Sequence, residues 1–406
     1  MELSAATRRE FARRMSTGGG DELTSILALA NATDIISFAG GFPDPATFPG
    51  PRIAEITAEL VASNDASALQ YAPVAGLPGP RDFLTTRLEE REGYRPASDE
   101  LMITSGTIEA LELLGKSMLD AGDLVFVEGP TYLGAIMAFE SFEANVVSVA
   151  MDRDGLEIDS LEVAIERHGR PRFLYAIPDH QNPSGVSLVQ QRRTQLVEAA
   201  RRHGFLIVED VAYRELGFSD ERPPSLLQLG PDVVVQAGTF SKTFIPGVRL
   251  GWAAGPADVI AHMIRAKQNT DQCAGALGQR LLEEYGRSGG LEEQASRSRI
   301  LYGRRCELMM TALEQHMPES VRWTKPAGGF FTWLTLPGDI DGGRLARAAV
   351  ERGVAVVPGA PFFPDRSGTN NVRLSFSKVE DSQIPEGIER LAALVSQELE
   401  GGTDGR

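Results

Sequence analysis

Five short apolar runs in the middle of the chain each end in residues whose types can do chemistry. Residues 101–104 lead into Ser105-Gly106-Thr107, and residues 124–127 into Glu128-Gly129-Pro130-Thr131-Tyr132. Residues 173–177 are followed by Gln181-Asn182-Pro183-Ser184-Gly185, and residues 205–209 by Asp210, with Tyr213 three residues on. Residues 233–237 run into Thr239-Phe240-Ser241-Lys242, with Arg249 seven residues further. Together they supply an amine, a carboxylate, a carboxamide, phenols, hydroxyls and a guanidinium, plus a small-residue turn that opens a helix and can cradle a phosphate. The amine is scarce: Lys116, Lys242, Lys267, Lys325 and Lys378 are the only five lysines among 40 basic residues. Lys242 alone follows an apolar strand within a Ser/Thr/Gly/Pro loop. Lys116 and Lys267 read as solvated charges on helices, and Lys325 and Lys378 lack a strand-end context.

The elements that must position these groups follow from the periodicity. Apolar runs alternating with helical segments mark a parallel α/β sheet, and such sheets bind ligands beyond the carboxyl ends of their strands. Seven strands are expected, at 101–104, 124–127, 145–150, 173–177, 205–209, 233–237 and 250–254. Helices are expected near 80–92, 107–119 and 187–203; in the second, Ile108, Leu111, Leu114 and Met118 share a face. A long charged amphipathic helix at 291–316 leads to a smaller unit, with strands at 329–336, 355–357 and 371–376 and helices at 343–352 and 385–399. The domains expected are an arm with part of the small domain (1–45), a large domain (46–290), and an interdomain helix with the small domain (291–406). The first thirty residues read as an arm or helix, and 401–406 as a disordered tail. No internal repeat is present.

At 406 residues and 42% hydrophobic, the chain is too long for one core and suits a large domain plus a smaller one. A net charge of −16 argues against nucleic acid or an anionic membrane surface as the main partner. Cys273 and Cys306 stand at no metal-ligand or disulfide spacing, which suits a reducing cytoplasm. No stretch approaches the roughly 20 apolar residues of a membrane span. The N-terminus lacks the apolar core of a signal peptide.

Pyridoxal 5′-phosphate needs this set of groups. Its aldehyde needs an amine, its ring nitrogen an anion, its phenolic oxygen donors, its phosphate amides and a cation, and its ring a stacking face. Asn182-Pro183-Ser184-Gly185, Asp210-x-x-Tyr213 and Thr239-x-Ser241-Lys242-(x6)-Arg249, in this order and spacing, resemble the class I/II aminotransferases of fold type I. Phe38-Ala39-Gly40-Gly41-Phe42-Pro43 and Leu69-Gln70-Tyr71 narrow the resemblance to the 2-aminoadipate and kynurenine aminotransferase branch, over roughly residues 20–395. The resemblance implies an α/β fold with a mainly parallel seven-stranded sheet and a smaller α+β domain. It implies a Schiff base on Lys242, which also moves the substrate proton, with Asp210 on the ring nitrogen and Asn182 and Tyr213 donating to the phenolic oxygen. Ser105, Gly106, Thr107, Thr239, Ser241 and Arg249 would hold the phosphate, and Tyr132 would stack on the ring. Arg373 would clamp the substrate carboxylate as a planar fork, with Asn182 and Gly40 nearby. Tyr71 would reach the phosphate of a neighbouring subunit, implying a homodimer with shared sites. No metal is implied. The implied reaction moves the amino group of an L-amino acid to a 2-oxo acid such as 2-oxoglutarate, by a ping-pong route through pyridoxamine phosphate.

Three positions depart from common members. Ile108 stands where many carry a polar residue, which leaves the phosphate main-chain contacts there. His180 replaces a frequent aromatic and reads as a hydrogen-bonded loop histidine. Thr24 stands where 2-aminoadipate-type members carry an arginine for a side-chain carboxylate, so a neutral, aromatic or unusual side chain is favoured. Elimination, decarboxylation or cyclisation on the same cofactor is the alternative chemistry. A regulator with an aminotransferase-like domain is the other rival, disfavoured because the family motif begins by residue 36 with no basic winged helix ahead of it.

Overall fold

The computed structural model describes residues 34–403 apart from 64, 65 and 339, together with the isolated positions 12, 14, 24, 26 and 28. The rest of the expected N-terminal arm, and residues 404–406 of the expected tail, lie outside the described residues.

After β1 (Ile36–Ser37), eight strands build the large sheet. They are β2 (Leu101–Thr104), β3 (Leu124–Gly129), β4 (Asn145–Asp152), β5 (Gly155–Leu156), β6 (Phe173–Ala176), β7 (Leu206–Asp210), β8 (Val234–Thr239) and β9 (Gly251–Ala254). Their order is β2-β9-β8-β7-β6-β3-β4-β5. The five strands from β4 to β8 in space are parallel, while β9 runs antiparallel to both β8 and β2. All seven expected strands are present. The eighth, β5, is a two-residue strand folded back on β4, too short for alternation to reveal.

Both faces of this sheet are covered, as a parallel sheet requires. Along β6, Phe173 and Tyr175 join one core with Leu111 and Leu114 of the helix Thr107–Met118 and Met263 of the helix Ala257–Gln268. Leu174 and Ala176 point the other way, onto Leu196 and Val197 of the helix Gln190–His203. The first core continues through Tyr302 and Met309 of the long helix Gly290–His316 into the C-terminal part.

That part holds β10 (Arg322–Trp323), β11 (Phe331–Thr335), β12 (Val354–Ala355), β13 (Val357–Pro358) and β14 (Asn371–Ser375). Four of them form an antiparallel sheet in the order β10-β11-β14-β13, and β12 pairs in parallel with β1. The single strand expected at 355–357 is thus two. Residues 354–357 are all fully buried, so the run looks continuous although the chain changes sheets at Val356. The last helix, Gln383–Thr403, extends into the span expected as tail. Its buried Ile384, Ile388, Leu391 and Val395 tie it to the core.

Candidate active site

The carboxyl ends of the parallel strands open onto a cavity of about 200 Å³, and the side chains reach it for topological reasons. Because β9 is antiparallel, its beginning rather than its end lies at this rim. Gly251 pairs with Thr104 on one side and Thr239 on the other, so Arg249 meets the loops leaving β2 and β8. A Cβ on Gly251 would fall 2.9 Å from the Gly106 Cα and 2.4 Å from the Gly238 carbonyl oxygen. Only glycine lets these backbones approach so closely.

Lys242 lines the cavity, and its Nζ donates to the Gly41 carbonyl oxygen at 2.8 Å. Burial pushes its ammonium down to about 8; Arg373 and Arg249 add to this, and the Asp210 carboxylate opposes it. Asp210 closes β7 in the middle of the sheet. Its Oδ2 accepts from the Tyr175 hydroxyl at 2.8 Å and its Oδ1 from the Ala212 N–H at 3.0 Å. Burial still raises its carboxyl to about 6. The two hydrogen bonds and Lys242 favour the anion but do not offset its burial, and a further cation brought against it would. Tyr213 packs edge-on against Phe330 and Phe331 at 5.4 and 5.7 Å between centroids, and burial raises its phenol.

The loop carrying Asn182 is pinned from beneath. Gln181 donates to Glu128 at 3.1 Å and to the Pro130 carbonyl at 2.6 Å, and its own oxygen accepts from the Ser184 hydroxyl at 2.7 Å. Fully buried Arg193 binds Asp179 at 2.7 Å and the Pro178 carbonyl at 2.9 Å. Burial alone would raise Asp179, but Arg193 and Arg214 hold it well below the usual carboxylate range.

At the far end, Arg249 donates to the Ser241 hydroxyl at 3.2 Å, and Thr239 Oγ1 lies 3.1 Å from that hydroxyl. Gly106 (φ +92°) caps the helix Thr107–Met118, and a Cβ on it would lie 3.0 Å from Arg249 Nη2. The first amides of that helix have no intrahelical acceptor, and the Thr107 hydroxyl is buried without a partner among the described residues. Arg373, on β14, donates to Asn182 Oδ1 at 3.0 Å and to the Ala39 carbonyl at 2.7 Å. Its Nε is buried and unpartnered among the described residues. Phe331 and Phe362 sandwich the guanidinium at 4.4 and 5.0 Å, and burial lowers it to about 10.

The profile of the family described as Aminotransferase class I and II matches residues 33–391. The chain belongs to this family. It is 39% identical to the aromatic-amino-acid aminotransferase 1 of Thermococcus litoralis, over 93% of this chain and 92% of that one. It is 38% identical to the 2-aminoadipate transaminase of Thermus thermophilus, over 91% and 92%. Among solved structures, the kynurenine aminotransferase of Pyrococcus horikoshii in complex with PMP superposes with a TM-score of 0.92. That match has 38% identity and covers 96% of this chain and 97% of that one. The protein is therefore a pyridoxal-phosphate-dependent aminotransferase of fold type I. Its cavity fits that cofactor: an orphaned hydroxyl and free helix amides stand at one end, a dry carboxylate at the other, and an amine between.

Of the residues expected at an aminotransferase site, Gly40, Thr107, Tyr132, Asn182, Asp210, Tyr213, Thr239, Ser241, Lys242, Arg249 and Arg373 line the one cavity. Gly106 stands just outside that lining, against Arg249, and so does Ser105, whose N–H donates to Glu109 at 2.6 Å and whose hydroxyl donates to Asp271 at 2.9 Å, turning both donors away from the cavity. Tyr71 is 83% exposed and does not line the cavity of its own chain. Ile108 lines it with an apolar side chain. His180 is buried outside it, 3.3 Å from the Ser187 hydroxyl, and fills space that Gly328 and Gly329 leave open. Burial foremost lowers its imidazole to about 4.

Lys267 is not a solvated charge but fully buried against Glu109 and Asp271. Thr24 is exposed, and among the described residues of its segment Ile26 lines the cavity. Phe362 and Leu133 also line the cavity unanticipated, each lying in a stretch that reads as ordinary core. Tyr175, equally unanticipated, does not line the cavity but braces Asp210 from behind.

Proposed function

We propose that the enzyme transfers the amino group of a neutral or aromatic L-amino acid to a 2-oxo acid such as 2-oxoglutarate, with Lys242 as the amine that holds the cofactor. The observation that carries this is the amine itself: Lys242 Nζ contacts a carbonyl oxygen, forms no salt bridge among the described residues, and is held near 8. Lowered that far, it gives up its proton far more readily than an ordinary lysine and so exposes the lone pair that a nucleophile or base needs.

When bound, pyridoxal phosphate supplies a carbonyl carbon for amine exchange and an electron sink for the substrate Cα. Asp210 holds the ring nitrogen protonated, a fixed charge in a dry site. Asn182 and Tyr213 orient the phenolic oxygen, and Tyr132 covers the ring face. Thr107, Thr239, Ser241, Arg249 and the amides of Gly106 and Thr107 bind the phosphate. Arg373 takes the substrate carboxylate beside Gly40, and Lys242 Nζ carries the proton from Cα.

Substrate class follows from the cations. Among the described residues only Lys242, Arg249 and Arg373 are cations lining the cavity, and all three have tasks. The side-chain end is left to Ile26, Phe42, Leu133 and Phe362. Relatives named for aromatic amino acids and kynurenine fit this reading, whereas the 2-aminoadipate transaminase, at 38% identity, is named for an acidic donor.

The proposed division is a cofactor-binding domain at 46–290, with 1–45 and 291–406 forming the part that closes on substrate. Exposed Leu69 and Tyr71 suit a homodimer in which Tyr71 completes the partner's phosphate site. Free Cys273 and Cys306 suit the cytoplasm; no described helix is long and apolar enough to cross a membrane.

The test is a spectral screen of the holoenzyme. Phenylalanine or leucine should bleach the visible band faster than glutamate or 2-aminoadipate, and 2-oxoglutarate should restore it. A preference for the acidic donors would overturn the substrate class. Ammonia or carbon dioxide released without a 2-oxo acid would overturn the reaction.

A further inference from the structure

We propose that Lys267, Glu109 and Asp271 form a positioning cluster that holds the Ser105-Gly106-Thr107 turn, from behind, in the shape the cofactor phosphate requires. This rests on the proposed reading that Arg249 and the turn's amides bind that phosphate.

Lys267 lies on the helix Ala257–Gln268, which packs against the helix Thr107–Met118. Its side chain is fully buried, and its Nζ donates to both Glu109 oxygens at 2.6 Å and to Asp271 Oδ2 at 2.9 Å. The same two carboxylates hold Ser105: Glu109 Oε2 takes its N–H, and Asp271 Oδ2 its hydroxyl. One ammonium therefore fixes two acceptors, and the two acceptors fix both donors of the residue that opens the turn.

Glu109 is the third residue of the helix after the Gly106 cap. A carboxylate there ordinarily reaches back to the cap amide. Here it reaches one residue earlier, so the Gly106 amide stays unclaimed by it. Ile108 adds no polar group. Phosphate binding at this turn thus depends on where the amides and the unpartnered Thr107 hydroxyl point, and their direction is set by the φ of +92° at Gly106 and the anchored Ser105. Lys267 touches neither cofactor nor substrate and acts through Ser105.

The experiment compares release of pyridoxal 5′-phosphate from the holoenzyme with release of pyridoxal, which lacks the phosphate, from enzyme loaded with it. Loss of the visible band on dilution into a trap gives each rate. Lys267→Met should release the phosphorylated form at least about tenfold faster, since hydrogen bonds to charged groups are worth that much, with pyridoxal unchanged within about twofold. Ser105→Ala, which leaves the ion cluster and packing in place, should show the same selectivity at about three- to tenfold. It carries the test if Lys267→Met does not fold. The ³¹P resonance of the bound phosphate should move in both variants. Equal acceleration of both forms, or of neither, would overturn the proposal. Wild-type enzyme that releases both at the same rate would instead remove the phosphate reading on which it rests.

Discussion

Lys242 and Lys267 are both drawn out of bulk water, and they are wired in opposite ways. Lys267 spends its hydrogens on two carboxylates, while Lys242 gives one to the Gly41 carbonyl and faces two guanidiniums across the cavity. The carboxylate nearest Lys242 in function, Asp210, is occupied by Tyr175 and the Ala212 N–H. Burial alone therefore does not distinguish a structural lysine from a reactive one; its partners do. An ammonium locked between anions has no lone pair to offer, whereas an amine held off anions in a low dielectric loses its proton readily.

The largest effect that separates the two is expected from removing each amine. Lys242→Ala should abolish the visible band and lower kcat by roughly 10²–10⁴-fold, the usual share of a proton-transfer group. A retained band would assign attachment to another lysine and erase the contrast. Next comes Asp210→Asn, which keeps the shape but removes the fixed charge. A preorganised partner of this kind is worth about 10²–10³ in kcat, and an unchanged turnover would separate Asp210 from the ring nitrogen. Arg373→Lys keeps a cation on β14 but loses the fork. It should lower kcat/KM for neutral amino acids by about 10–100-fold, mostly through KM. A purely kcat effect would place Arg373 elsewhere in the cycle.

The contrast between the lysines was only half legible in the sequence. Lys242 could be found because its context is local: a strand, then a Ser/Thr loop, then Arg249 at fixed spacing. The seven long strands were legible for the same reason, and so was the rim they form, because strand-end chemistry follows from sheet topology. Lys267 was not legible. Its partners Glu109 and Asp271 sit on two different segments, and a single lysine on a helix looks the same whether that helix face is wet or packed. Ile26 and Phe362 were hidden by the same lack of local signal, since apolar residues read as core until the fold shows that they face a cavity. Ser105 shows a limit of local reading. The Ser-Gly-Thr turn suggested three phosphate contacts, but both donors of the first residue are taken, one by Glu109 in the first turn of the same helix and one by Asp271 from a distant segment. β5 and the split at Val356 escaped because two-residue strands carry no period.

The smallest expected effect tests the wiring of Lys242 without a mutation. Its folded value of about 8 lies below the ordinary lysine value of 10.5, so between those limits the unfolded chain holds a proton that the folded cofactor-free enzyme has released. With more protons on the unfolded side, stability of the cofactor-free enzyme should rise with pH through this window. Below about pH 8 the folded amine is cationic, and its burial penalty is fully present. The same titration governs attachment, because only the neutral amine attacks an aldehyde. The rate at which the visible band forms on adding pyridoxal 5′-phosphate should climb with a midpoint near pH 8, gaining about tenfold between pH 7 and 9. Lys242→Ala should remove both the band and that stability slope, whereas Ser105→Ala should leave the midpoint in place. A midpoint near the ordinary lysine value would mean that the guanidiniums and burial do not act on Lys242 as the geometry requires, and the two lysines would then differ in partners but not in readiness to react.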